Sequence, residues 1–308
     1  MSHTPEEKSV PALVLARAEA LGEAVAFRRA AAAEEGAWTY GRLARLVRGL
    51  GTAFLAMGLR RGDRVALIAG SRREWFLADL ALAGCGAVDV PRDTETSLPE
   101  LLAILRHSEP RWLIAEKEET AREILRRRAE LPSLEKVLLL LPGGEVGELE
   151  NLADLAARGE ALRAGGDLAF DRALARSGPA DLLTLVYTSG TTAEPRGVML
   201  TQGNVLANIT RLPEVHLTRL GDRVLSLLPC WHMFERTVDY YLLSRGAEIV
   251  FSDKRRFRRD LARVQPHFMV SVPRIWEALH DGIEHNLAAA PGLAGRVARA
   301  AARIARRR

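Results

Sequence analysis

Four hydroxyl side chains flank a glycine in the run Thr188, Ser189, Gly190, Thr191, Thr192, and Arg196 and a second glycine follow within YTSGTTAEPRGVMLT, Tyr187 to Thr201. Hydroxyls and backbone N–H groups donate hydrogen bonds, glycine frees the backbone, and arginine adds a planar, permanently charged fork. Together these groups suit the oxygens of a phosphate. The apolar run TLVY leading in reads as a strand, and TQGNVLANI leading out reads as a helix. A glycine-rich turn from the carboxyl end of a parallel strand into a helix is where α/β proteins hold phosphates, because the helix N-terminus adds partial positive charge. A Ser/Thr-rich surface turn is the plain alternative; the flanking strand, helix and basic residue favour phosphate. The stretch is neither GxxxxGK[ST] nor GxGxxG, and no GxSxG surrounds Ser189, which excludes a serine hydrolase elbow.

Other reactive types are sparse. Cys230 and His232 have a C-x-H spacing, but no second pair of ligands accompanies them, so no metal centre is expected. Cys85 and Cys230 are the only cysteines, which makes no disulfide framework and points to a reducing cytoplasm. Glu235 and Arg236 read either as a substrate-orienting pair or as an internal ion pair. Ile275 and Trp276 read as helix packing, and KRRFRR at 254–259 as a solvated turn before a helix.

The elements that must position these residues alternate. Leu43, Leu46, Val47, Leu50, Phe54 and Met57 recur at helical spacing, Gly58 ends that helix, and Val65–Ile68 reads as a buried strand. Ser71 with Glu74, and Ser97 with Glu100, carry the capping-box spacing and open two helices. Between them a strand at Ala87–Val90 is expected to stop at Pro91. RWLIA and the apolar run from Lys136 read as further strands. Residues from about Pro142 to Pro179, glycine-rich and acidic, read as a connector with short helices. Beyond the hydroxyl-rich stretch the order is helix from Gln202, strand RVLSLL, loop PCWHMFER, strand AEIVF, helix from Arg256, strand HFMVSV and helix from Pro273. Apolar strands alternating with amphipathic helices predict an α/β fold with largely parallel sheets flanked by helices in two lobes. The expected division is 1–175 as a first lobe with its acidic connector, 176–290 as a second lobe opening with the phosphate loop, and 291–308 as a basic amphipathic tail.

A chain of 308 residues, 48% hydrophobic and 27% charged, suits a soluble globular protein with two cores rather than a disordered one. The start MSHTPEEKSV lacks the features of a signal peptide. The net charge of +5 is a property of the tail, since Arg296, Arg299, Arg303, Arg306, Arg307 and Arg308 fall in the last thirteen residues and the remainder is close to neutral. Leu293, Val297, Ala301 and Ile304 share one helical face there. That face could lie on an anionic membrane or pack on protein; small residues along most of it favour packing. No aromatic interleaves the arginines, which argues against nucleic acid.

YTSGTTAEPRGVMLT resembles the phosphate-loop signature of the AMP-forming acyl-CoA synthetase superfamily, YTSGTTGxPKGVxxTH. LPCWHMFER and VPRIWEALHDGI are similar to further signatures of its long-chain fatty-acid members, and WTYGRLARLVRGLGTAFLAMGLRRGDRVALIAGSRREWFLADLALAGCGAVDVPRD is similar to its opening lobe. The resemblance runs from about residue 15 to 290. It implies the fold of the N-terminal domain of adenylate-forming ligases, and a reaction in which a fatty-acid carboxylate attacks the α-phosphate of ATP before coenzyme A, or an acyl carrier protein, displaces AMP. It implies ATP with Mg2+, with Thr188, Ser189, Gly190, Thr191 and Thr192 around the β- and γ-phosphates and Arg196 at the place of the family's lysine. It implies His232 as a catalytic group near the carboxylate and adenylate, and Trp231 at the mouth of the acyl pocket. Cysteine usage and the tail together give a cytoplasmic protein, with peripheral membrane contact through 291–308 as the membrane-bound variant.

Three positions depart from the pattern: Ala193 for glycine, Arg196 for lysine, and Gln202 for histidine. Arginine supplies 40 of the 44 basic residues, so Arg196 matches a chain-wide bias. The later family signatures, YGxTE, TGD, the hinge and a C-terminal lysine, are absent. The chain is therefore expected to be an N-terminal portion that does not complete acyl-CoA synthesis alone. A non-catalytic acyl- or nucleotide-binding protein derived from such a ligase is the alternative.

Overall fold

The computed structural model describes residues 8–30, 36–142, 149–188, 195–215, 217–253 and 255–289, with isolated positions beyond them. Two compact units result, residues 1–269 and 270–308.

The first unit begins with α1 (Val10–Leu21), β1 (Val25–Arg29), β2 (Trp38–Thr39) and α2 (Tyr40–Ala56). Strand and helix then alternate through β3 (Arg64–Ile68), α3 (Arg73–Cys85), β4 (Val88–Arg92), α4 (Leu98–Ser108), β5 (Trp112–Ala115), α5 (Glu118–Arg126) and β6 (Lys136–Leu139). Next come α6 (Leu152–Ala164), α7 (Ala169–Ala175), β7 (Leu182–Thr188), β8 (Arg196–Thr201) and α8 (Gln202–Val215). The unit closes with β9 (Arg223–Ser226), α9 (Met233–Arg245), β10 (Glu248–Phe251), α10 (Phe257–Val264) and β11 (Phe268–Met269). In the second unit α11 (Pro273–Ala289) starts with proline, whose missing N–H is no loss at a helix start.

The strands form two sheets, ordered β11-β9-β10-β1-β2 and β6-β5-β3-β4-β7-β8. Every registered pair is parallel except β1–β2 and β7–β8. The fold is therefore α/β with largely parallel sheets flanked by helices. Each sheet draws strands from both sides of residue 175.

Helix α3 joins the layers. Its sequence REWFLADLALAGC is apolar nearly all round, and such a helix must be buried on every face. Trp75 through Cys85 are buried, and Phe76 packs its ring 5.9 Å from Phe27 and 6.0 Å from Phe251, both of the first sheet. The segment expected as a connector contributes more than that. Its α6 is a 13-residue helix seated on α2, capped by Asn151, whose side chain accepts from the amides of Ala153 and Asp154 at 3.0 and 3.1 Å.

Five local expectations are corrected. Strand β4 runs through Pro91 to Arg92: with Val88 and Ala69 bonded on the β3 side, Pro91 turns its missing donor towards β7, where only Asp89 and Thr184 are in register. Ser71 does not cap α3. Its hydroxyl accepts from Cys230 N at 2.9 Å and reaches Leu228 O at 3.3 Å, while Glu74 pairs with Arg72 and Arg73. Ser97 does occupy the cap of α4, yet without a side-chain bond, and Glu100 pairs with Arg92. Between PCWH and AEIVF lies a full helix, α9, and Arg196–Thr201 is a strand, β8.

Candidate functional site

Strand β8 changes the setting of the hydroxyl-rich loop. β7 and β8 pair antiparallel from Leu182–Thr201 to Thr188–Arg196, so the loop is the turn of a hairpin. It still leaves the carboxyl end of β7, which runs parallel to β4. It does not enter a helix. Helix α8 begins one strand later, about 20 Å away for six extended residues, and a helix dipole acts only over its first turn. Its first amides are satisfied locally, by a reciprocal pair in which Thr201 N donates to Asn204 Oδ1 at 3.0 Å and Asn204 N to Thr201 Oγ1 at 3.2 Å.

Thr188 and Arg196 face each other at the turn end of the hairpin, both exposed. Ser189, Gly190, Thr191, Thr192 and Ala193 lie outside the described residues. Gly197 has a packing role: it pairs with Tyr187, and a Cβ there would stand 3.1 Å from the Tyr187 ring. That ring is held at its far end, where its hydroxyl meets His107 Nδ1 at 2.6 Å. Gln202 is buried away from the loop, and its Oε1 accepts the Val10 amide at 3.0 Å. The departure at 202 thus serves the start of α1.

A residue that sequence reasoning passed over supplies positive charge at the base of the loop. Arg92, the last residue of β4, donates through Nη1 to Tyr187 O at 3.0 Å and pairs with Glu100. Its guanidinium also acts on His232. Partial desolvation lowers the His232 pKa from its ordinary value, Arg92 lowers it further, and Asp93 opposes both. The imidazole is therefore neutral at pH 7 and able to accept a proton or a hydrogen bond. Backbone geometry fixes its place: His232 is the extended N-cap of α9, and its amide donates to Pro229 O at 3.0 Å. The structure thus brings Arg92, the hairpin end and His232 to one region at the carboxyl ends of β4, β7 and β9, where open parallel sheets bind ligands.

Trp231 stands beside His232, with ring centroids 6.0 Å apart. It lines a cleft of about 370 Å³ whose apolar wall includes Leu227, Pro229 and Phe251. Small and polar residues, Ala30, Gly70, Ser71 and Ser252, also line it, together with charged ones that include Arg72, Glu74, Glu116 and Arg256. Glu235 and Arg236 are both buried, but they do not pair with each other. Glu235 accepts from Ser226 Oγ at 2.8 Å, whereas Arg236 joins Asp79 and Asp89. Among the described residues no group of three or more His, Cys, Asp or Glu side chains could hold a metal ion, and no helix is long and apolar enough to cross a membrane.

A family described as AMP-binding enzyme matches residues 15–303 of the chain. The chain belongs to that family. A chloroplastic long-chain fatty-acid–[acyl-carrier-protein] ligase of Arabidopsis thaliana is 31% identical over 92% of this chain and 40% of its own length. A long-chain fatty-acid–CoA ligase of Mycobacterium tuberculosis is 31% identical over 82% of this chain and 42% of its own. The chain thus spans about two fifths of these relatives. The fold of this chain matches that of a solved long-chain fatty-acid–CoA ligase from Archaeoglobus fulgidus, with a TM-score of 0.75 at 23% identity, covering 94% of this chain and 56% of the other.

Proposed function

We propose that this AMP-binding enzyme takes part in ATP-dependent activation of a long-chain fatty acid, forming an acyl-adenylate whose acyl group passes to coenzyme A or an acyl carrier protein. The observation that carries the reading is the family match across residues 15–303, with the hydroxyl-rich turn at the carboxyl end of β7 beside Arg92 and His232. Thr188, Ser189, Gly190, Thr191, Thr192 and Arg196 hold the β- and γ-phosphates in this reading. Mg2+ would come as part of the ATP substrate and would supply charge neutralisation at its phosphates. His232, neutral at pH 7, accepts a hydrogen bond near the reacting carboxylate, and Trp231 borders the acyl chain. Positioning and charge neutralisation supply most of the rate enhancement. The site belongs to a cytoplasmic protein, with the tail at 291–308 as its membrane contact if it has one.

Titration of the chain with ATP tests the reading. Binding is expected, and Arg196→Ala is expected to weaken it about tenfold, the loss of one charge-assisted hydrogen bond. Unchanged affinity in the variant would remove Arg196 from the phosphate site. Fatty-acid-dependent ATP–pyrophosphate exchange by the intact protein tests the chemistry; tight ATP binding with no exchange would leave a nucleotide-binding protein without ligase activity.

A further inference from the structure

The first turn of α9 carries His232 at one end and Arg236 at the other, joined by the bond from Arg236 N to His232 O at 3.1 Å. Arg236 is wholly buried. Its Nη2 reaches Asp79 of α3 and, at 2.9 Å, Oδ1 of Asp89 in β4. Its Nε contacts the Tyr240 hydroxyl at 2.7 Å, and that hydroxyl donates to Asp79. The guanidinium also lies over the Trp75 ring, 5.0 Å from its centroid, so its plane is fixed as well as its charge.

The partners of Arg236 lead straight to the loop. Asp89 lies three residues before Arg92, whose guanidinium holds Tyr187 O. The backbone oxygen of Asp89 accepts from Thr184 Oγ1 at 3.3 Å, which ties β4 to β7 just upstream of Thr188. One buried cation therefore connects the helix that bears His232 to the two strands that bear Arg92 and the hydroxyl-rich turn.

Stability alone does not call for such a cluster. A buried ion triad is commonly matched or exceeded by well-packed apolar residues of the same size. This one is also incompletely satisfied, since Arg236 Nη1 and Asp89 Oδ2 have no hydrogen-bond partner among the described residues. What an apolar plug could not do is hold α9 to β4 in a single rotational setting, because apolar contacts are not directional.

We propose that Arg236 is a positioning residue: clamped by Asp79 and Asp89, it fixes the first turn of α9 and sets His232 against Arg92 at the base of the loop. The consequence for catalysis rests on the ligase reading above; the clamp itself rests on the geometry.

The test is a variant with the charges removed together, Arg236→Met, Asp79→Asn and Asp89→Asn in the intact protein, which leaves no buried charge stranded. Circular dichroism checks the fold. Histidine-selective NMR, with the His232 signal assigned by its loss in His232→Gln, reads the imidazole titration. The expected result is a folded protein whose His232 titrates higher than in the wild type, nearer the ordinary value of roughly 6.5, as Arg92 moves away. Fatty-acid-dependent exchange is expected to fall in kcat by roughly tenfold, the cost of misplacing a group by about 1 Å or less, with KM for ATP little changed. A folded triple variant in which His232 titrates as in the wild type overturns the clamp. Should the triple variant not fold, Tyr240→Phe decides, because it keeps all three charges and removes only the hydroxyl that steadies them: a smaller upward shift supports the clamp, and none overturns it. If the wild type shows no exchange, the ligase reading fails while the His232 titration still judges the clamp.

Discussion

Gly159→Ala is expected to destabilise the chain by about 2 kcal/mol, although alanine is the better helix former. The substitution lies inside α6, where propensity alone favours alanine by about 1 kcal/mol. Packing opposes it. A Cβ at this position would overlap the carbonyl of Gly49 in α2 and stand 3.0 Å from Ala53 N. Both obstacles are backbone, so no side chain can swing aside. The helices must separate, and overpacking of this kind costs about 3 kcal/mol, which outweighs the propensity gain. Urea unfolding checks the sign. Gly178→Ala is the control, since nothing lies within 4 Å of a Cβ there, and its effect is expected to stay within about 0.5 kcal/mol. A Gly159→Ala chain as stable as the wild type would mean that α2 and α6 do not meet through these glycines. The contact lies on elements that carry no residue of the candidate site, so ATP affinity per folded molecule should not change.

That same contact shows which features can be read from sequence. Helix α2 was legible because Leu43, Val47, Leu50 and Phe54 mark one buried face at helical spacing. Strands β3 and β5 were legible because Val65–Ile68 and Trp112–Ala115 are apolar on both faces, as central strands of a parallel sheet must be. The partnership of α2 with α6 was not, because it is made by glycines, which leave no hydrophobic signal. Helix α9 was missed for the opposite reason: it buries Glu235, Arg236 and Asp239 among its apolar residues, so polar and buried no longer coincide and the helical period disappears. Strand β8 was missed because Val198 and Met199 are adjacent and both exposed, which breaks the alternation of a half-buried strand.

In the site, the hydroxyls announced themselves by composition. Arg92 could not, since its role is a bond to the carbonyl of a residue 95 positions away. Ser71 illustrates the same limit. Its spacing to Glu74 satisfies a capping rule, yet its hydroxyl is taken by the chain after β9, a competitor visible only once the two sheets are assembled. The α/β class and the loop were therefore local signals, whereas the groups that bring the loop and His232 together are long-range ones.

The buried acids of α9 carry a stability signature of their own. Glu235 and Asp239 lie one turn apart and both reach Ser226 Oγ, at 2.8 and 3.4 Å, but one hydroxyl can donate to only one of them. Burial pushes the Glu235 pKa up to about 7, opposed by its bond from Ser226. Asp239 goes well above its ordinary value, by burial first and by the Glu235 charge second. Both shifts are upward, so the fold favours the protonated acids. Their stabilising contribution is complete below the unfolded values near pH 4 and is lost as pH rises through about 7. We expect the free energy of unfolding to fall by roughly 2–3 kcal/mol between pH 5 and pH 8 from Glu235 alone, with Asp239 adding to the loss. Glu235→Gln removes one ionisation and also the charge that raises Asp239. It should flatten the profile, leaving the variant near the wild type at pH 5 and more stable at pH 8. Parallel urea midpoints for the two proteins across that range would show that the pair ionises in the folded chain as freely as in water.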